Sequence, residues 1–92
     1  MPYISSEERP AIDDAVKTLM QYVKTDGQLN YAISKMILAY VKFHSLRYAH
    51  INEIMGVLNC VAHEFYGRVA RPYEDKKIKI NGDIGFEELD GE

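Results

Sequence analysis

The sequence predicts an all-α domain of three helices, with helices two and three joined as a long hairpin, then a short C-terminal element and an acidic tail. Three observations lead there. Apolar residues recur at helical spacing in three successive windows. Only short breaks separate those windows, at Asp26-Gly27 and at residues 45–49. Ninety-two residues, 47% hydrophobic and 27% charged, make one globular domain rather than a disordered chain. The predicted domain is 1–84, and 85–92 is the tail.

Helix one is expected from about Pro10 to Thr25. Ser5 and Glu8 have capping-box spacing, but a proline inside a continuing helix loses a backbone bond, so Pro10 belongs in the first turn. Ile12, Val16, Leu19, Met20 and Val23 form its apolar stripe, and Asp26-Gly27 supplies the break.

Helix two is expected from Gln28 to His44. Leu29, Ala32, Ile33, Met36, Ile37, Tyr40 and Val41 form a wide face read as core. Its other side carries Tyr31, Lys35 and Leu38 with Asn30 and Ser34, where the plainer reading is a solvated back or a subunit contact.

Helix three, from about His50 to Ala70, repeats Ile51, Ile54, Met55, Leu58, Val61, Ala62, Phe65 and Val69 at nearly coiled-coil spacing. A polar stripe of Asn52, Gly56, Asn59, His63 and Tyr66 runs along it, and Gly56 is read as a helix crossing. Pro72 is expected to interrupt the helix. Residues 72–84 then form either a short helix stopped by Asn81-Gly82 or a β-hairpin turning there.

Several chemistries are disfavoured. Cys60 is the only cysteine, which excludes an internal disulfide, and it is read as a small core residue. His44, His50 and His63 lack metal-ligand spacing, so no metal and no other cofactor is expected. No nucleophile sits beside an evident base, and Glu74-Asp75 read as surface ion-pair partners, so the chain is not expected to be an enzyme. No apolar run reaches the roughly 18 residues of a membrane span, and no signal peptide is evident, so the expected location is the cytoplasm.

The stretch 64–83 is the candidate site. Tyr66, Arg68, Arg71, Tyr73, Lys76 and Lys77 put stacking faces among phosphate donors within a dozen residues. A solvated, helix-capping basic end is the plainer alternative. The net charge of −3 and the acidic termini disfavour long nucleic acid, whereas a small anionic aromatic ligand suits both residue types. Asn30, Tyr31 and Lys35 could close such a pocket.

The segments Gly27-Gln-Leu-Asn-Tyr-Ala-Ile-Ser, Ile51-Asn-Glu-Ile-Met-Gly-Val-Leu and Phe65-Tyr-Gly-Arg-Val-Ala-Arg-Pro-Tyr-Glu-Asp-Lys-Lys-Ile resemble a family of small helical proteins of phages and bacteria. The chain also resembles viral sponge proteins that sequester cyclic-nucleotide signals of bacterial immunity. That resemblance implies a homo-oligomer, dimer or tetramer, that binds the messenger in recessed pockets without cleaving it, in the host cytoplasm if phage-encoded. Gly67 stands where such relatives are expected to carry another basic residue. A protein-interaction or assembly module without a small ligand is the alternative.

Overall fold

The computed structural model describes residues 4–89, all of whose regular elements are helical. Residues 1–3 and the end of the acidic tail, 90–92, lie outside the described residues. The chain divides into two units, 1–46 and 47–92, each described by itself.

In the first unit a short 3-10 turn, Ser6–Glu8, leads into α1, Arg9–Leu19. The Ser5 amide and Oγ both donate to Glu8 Oε2, at 3.4 and 3.0 Å. Pro10 sits in the first turn of α1, where its missing N–H would have no partner anyway.

Helix α1 stops at Leu19, short of the expected Thr25. The Gln21 and Tyr22 amides bond Thr18 O and Leu19 O at 3.2 and 2.9 Å, tightening the last turn. Helix α2, Asp26–His44, begins earlier than expected because Thr25 and Gln28 cap it reciprocally. Gln28 N donates to Thr25 Oγ1 and Thr25 N donates to Gln28 Oε1, each at 3.1 Å. Lys24 N adds a 2.6 Å bond to the same Gln28 oxygen. The Asp26-Gly27 pair is thus the first turn of α2 rather than a break, and the Thr25-x-x-Gln28 box explains why.

Helix α2 ends at Ser45, whose φ of 76° and ψ of 156° place a side chain in backbone space that favours glycine. Gly82 ends the last helix with nearly the same angles, φ 86° and ψ 154°. Ser45→Gly should therefore raise stability by about 1 kcal/mol, read as a shift in the urea midpoint at unchanged slope.

The second unit holds α3, Tyr48–Phe65, a π-helical segment, Tyr66–Ala70, and α4, Arg71–Asn81. These three follow without a gap, so Pro72 does not interrupt the helix as expected. A proline at 72 cannot donate to the Arg68 carbonyl, and its ring would collide with that carbonyl in a regular α-helix. The wider π turn accommodates it: the Arg71 amide reaches back five residues to Tyr66 O. Residues 77–80 belong to α4, and Gly82 N closes that helix on Ile78 O at 2.7 Å. A final 3-10 turn spans Phe86–Leu89.

The faces expected to form a core are largely uncovered. Among the described residues only Val23 and Ala32 are buried, while Leu29, Met36, Tyr40, Met55 and Phe65 are exposed. The second unit, being one continuous helical run, has no second layer of its own to bury the apolar stripe of α3. Cys60, expected inside, is also exposed. A side chain at Gly56 would meet nothing within 4 Å, so no neighbour in the second unit itself explains that glycine.

Candidate nucleotide-binding surface

In an α-helix two turns take about seven residues, so side chains at i, i+4 and i+7 share a face. A π turn adds one residue to that count. Tyr66, at the start of the π segment, therefore faces positions 71 and 74 rather than 70 and 73. The Arg71 guanidinium carbon lies 5.5 Å from the centre of the Tyr66 ring. On the same side, Tyr66 Oη donates to Glu74 Oε1 at 2.9 Å. Arginine, aromatic face and carboxylate thus meet because of Pro72.

The sequence pairs Glu74 with neighbouring lysines, whereas in the structure it accepts a hydrogen bond from a tyrosine eight residues back. Periodicity could not reveal this, since the usual count aligns Tyr66 with residue 73.

One turn further, Lys77 Nζ stands 5.6 Å from the centre of the Tyr73 ring. Lys77 also borders an open groove of about 490 Å³ with Tyr66, Glu74, Ile78, Gly82 and Phe86. Both cation–aromatic pairs are exposed, as is Lys76. Arg68 makes a 3.1 Å ion pair with Glu64 one turn earlier, so part of its charge is already engaged. At an exposed site this i,i+4 pair contributes a few tenths of a kcal/mol and leaves Arg68 able to exchange partners.

The carboxylate of Glu74 raises the Tyr66 hydroxyl above its ordinary value near 10, first by accepting its proton in a hydrogen bond and then by charge repulsion against the phenolate. Arg71 opposes this more weakly. Since the folded pKa is the higher one, this contribution to stability is complete below the unfolded value and is lost as pH rises through the folded value. In an alkaline titration followed by phenolate absorbance, Tyr66→Phe should remove a late-ionising tyrosine, and Glu74→Gln should bring that step earlier. An unchanged profile in Glu74→Gln would contradict the contact.

Three candidates lie in the first unit. Asn30, Tyr31 and Lys35 sit on α2, with Lys35 Nζ 5.8 Å from the Tyr31 ring centre. Tyr31 and Lys35 border a second groove, of about 580 Å³, whose remaining lining includes Leu19, Val23, Ala32 and Met36. That groove is largely hydrocarbon.

The model of a family described as a domain of unknown function, DUF6899, matches residues 1–84. The chain belongs to the DUF6899 family. All nine candidate residues fall inside the matched DUF6899 span. No curated protein matches the chain, and no solved structure does.

Among the described residues of this DUF6899 chain, no group of three or more His, Cys, Asp or Glu side chains is placed to hold a metal ion. No described helix is long and apolar enough to cross a membrane.

Proposed function

We propose that this chain is a non-catalytic binding protein that captures a small anionic nucleotide, a cyclic second messenger in particular, and so lowers its free concentration. In a phage it would act as a sponge against immune signalling in the host cytoplasm. The observation that carries this reading is the pair of exposed cation–aromatic contacts on consecutive turns, Arg71 on Tyr66 and Lys77 on Tyr73. Each offers a stacking face beside a phosphate donor, the combination a nucleotide requires.

The protein would work as a homo-oligomer, a dimer or tetramer, with α2 and α3 folded as a hairpin. Arg68, Arg71, Lys76 and Lys77 hold phosphates, Tyr66 and Tyr73 stack on bases, and Asn30, Tyr31 and Lys35 close the pocket from α2 or a neighbouring copy.

Calorimetry against a panel of cyclic di- and trinucleotides tests the proposal, and no heat from any member would sink it. Intact ligand recovered after denaturing the complex separates sequestration from hydrolysis.

A second reading, a protein-assembly module without a nucleotide, draws on the exposed apolar residues of α3. One stoichiometric protein partner captured by a chain inert towards every nucleotide would favour it.

A further inference from the structure

Glu74 is the residue that a phosphate site has least use for. It stands within three residues of Arg71, Lys76 and Lys77, yet among the described residues it forms an ion pair with none of them. Arg71 lies over the Tyr66 ring and Lys77 over the Tyr73 ring instead. Glu74 Oε1 takes its hydrogen bond from Tyr66 Oη, and Oε2 meets no donor of the described residues. A carboxylate so placed repels phosphate, and it lowers affinity unless the same ligand also presents donors to it.

Its surroundings narrow the ligand that does. Tyr66, Glu74 and Lys77 border one groove of about 490 Å³, within the ~300–1,000 Å³ of small-molecule sites, and Ile78 and Phe86 add hydrocarbon to its walls. All five residues belong to the second unit. The groove thus offers ring faces for stacking, an ammonium group for a phosphate and a carboxylate for the edge of a base.

Unpaired bases are identified on their Watson–Crick edge. A carboxylate accepts two parallel hydrogen bonds and donates none. Of the four common bases, guanine alone sets two donors side by side on that edge, N1–H and N2–H. Adenine and cytosine each set a ring-nitrogen lone pair beside the amino group, and uracil flanks its single N–H with two carbonyls. Each of those three turns a lone pair on the carboxylate.

We propose that Glu74 is the base-reading residue of the nucleotide site and selects guanine through its N1–H and N2–H, with a ring of the groove, Tyr66 or Phe86, against the base and Lys77 on a phosphate. The proposal rests on the nucleotide capture proposed above and narrows it to guanylates. Tyr66 Oη holds Glu74 Oε1, and a carboxylate oxygen keeps a second lone pair, so the tyrosine and the base can share it.

Calorimetry of the full chain with cyclic di-guanylate and cyclic di-adenylate, which differ only in their bases, tests it. The wild type should bind the guanylate at least about tenfold more tightly, the usual discrimination of one well-formed two-bond contact. Glu74→Gln should abolish or reverse that preference, because an amide presents one donor and one acceptor, the match for adenine's N1 and N6–H. Asp75→Asn removes the same charge one residue away, outside the groove, and should leave the ratio unchanged.

Equal binding of the two by the wild type would overturn the proposal and leave nucleotide capture standing. A preference that survives Glu74→Gln, or that falls equally in Asp75→Asn, overturns it in the same way, as does binding of some other cyclic nucleotide with none of the guanylate. Failure to bind any cyclic nucleotide removes the capture reading along with it.

Discussion

Arg71→Ala will weaken nucleotide binding by roughly ten- to a hundredfold, the loss expected when a charge-assisted bond to phosphate is removed. Helix content should not change. The Arg71 side chain is exposed, and its contact on the described surface is with the Tyr66 ring rather than with a core. Arg71→Lys should recover only part of the affinity, because an ammonium group keeps the charge but loses the planar fork that grips two phosphate oxygens. Tyr66→Ala should cost about as much through lost stacking, and Tyr66→Phe much less, since the ring survives and only the bond to Glu74 disappears. Arg71 and Tyr66 are in contact, so their double variant should lose less than the two single losses combined. Calorimetry of the five variants with the tightest nucleotide decides the matter: a loss below threefold in Arg71→Ala would remove this residue from the site.

The second large effect belongs to a residue that touches no ligand. Pro72→Ala restores an amide and removes the ring that collides with the Arg68 carbonyl, so the π segment can close into ordinary α-helix. The helix should become more stable, by about 1 to 3 kcal/mol at most given the usual penalty of an interior proline. Binding should fall nonetheless. Regular winding rotates α4 by about one residue, roughly 100°, so Tyr66 turns from Arg71 and Glu74 towards Ala70 and Tyr73. A higher melting temperature accompanied by at least a tenfold weaker affinity, with the late tyrosine ionisation gone, is the expected signature. Unchanged tyrosine titration in Pro72→Ala would show that the π segment does not depend on the proline.

Residue periodicity carried the helical class, because the apolar repeats in α1, α2 and α3 are long and regular. It could not carry two features. One is burial: an apolar stripe states that a surface wants covering, not that its own chain covers it, and Leu29, Met36 and Met55 are exposed on stripes that read as core. The other is the passage through Pro72. Proline is normally read as the end of a helix, and no local rule marks Tyr66–Ala70 as a π turn rather than a stop. The consequence reaches the candidate site directly. Tyr66, Arg71, Tyr73 and Lys77 were visible as residue types in one short stretch, and Tyr73 with Lys77 is an ordinary i, i+4 pair of α4; the pairing of Tyr66 with Arg71, and the part of Glu74, depend on the extra residue of the π turn. The start of α2 was legible in principle: Thr25-x-x-Gln28 spells a capping box, but Asp26-Gly27 in its middle looks like a turn.

Cys60, the single cysteine, is exposed on α3 opposite the Ile51–Phe65 seam. A spin label or fluorophore attached to that sulfur would ride clear of the apolar seam. The same accessibility carries a chemical liability. Under oxidising conditions two such thiols on different molecules can be joined in a disulfide, linking copies covalently. Handling the protein with a reductant, or as Cys60→Ser, keeps covalent aggregates from being mistaken for assembly.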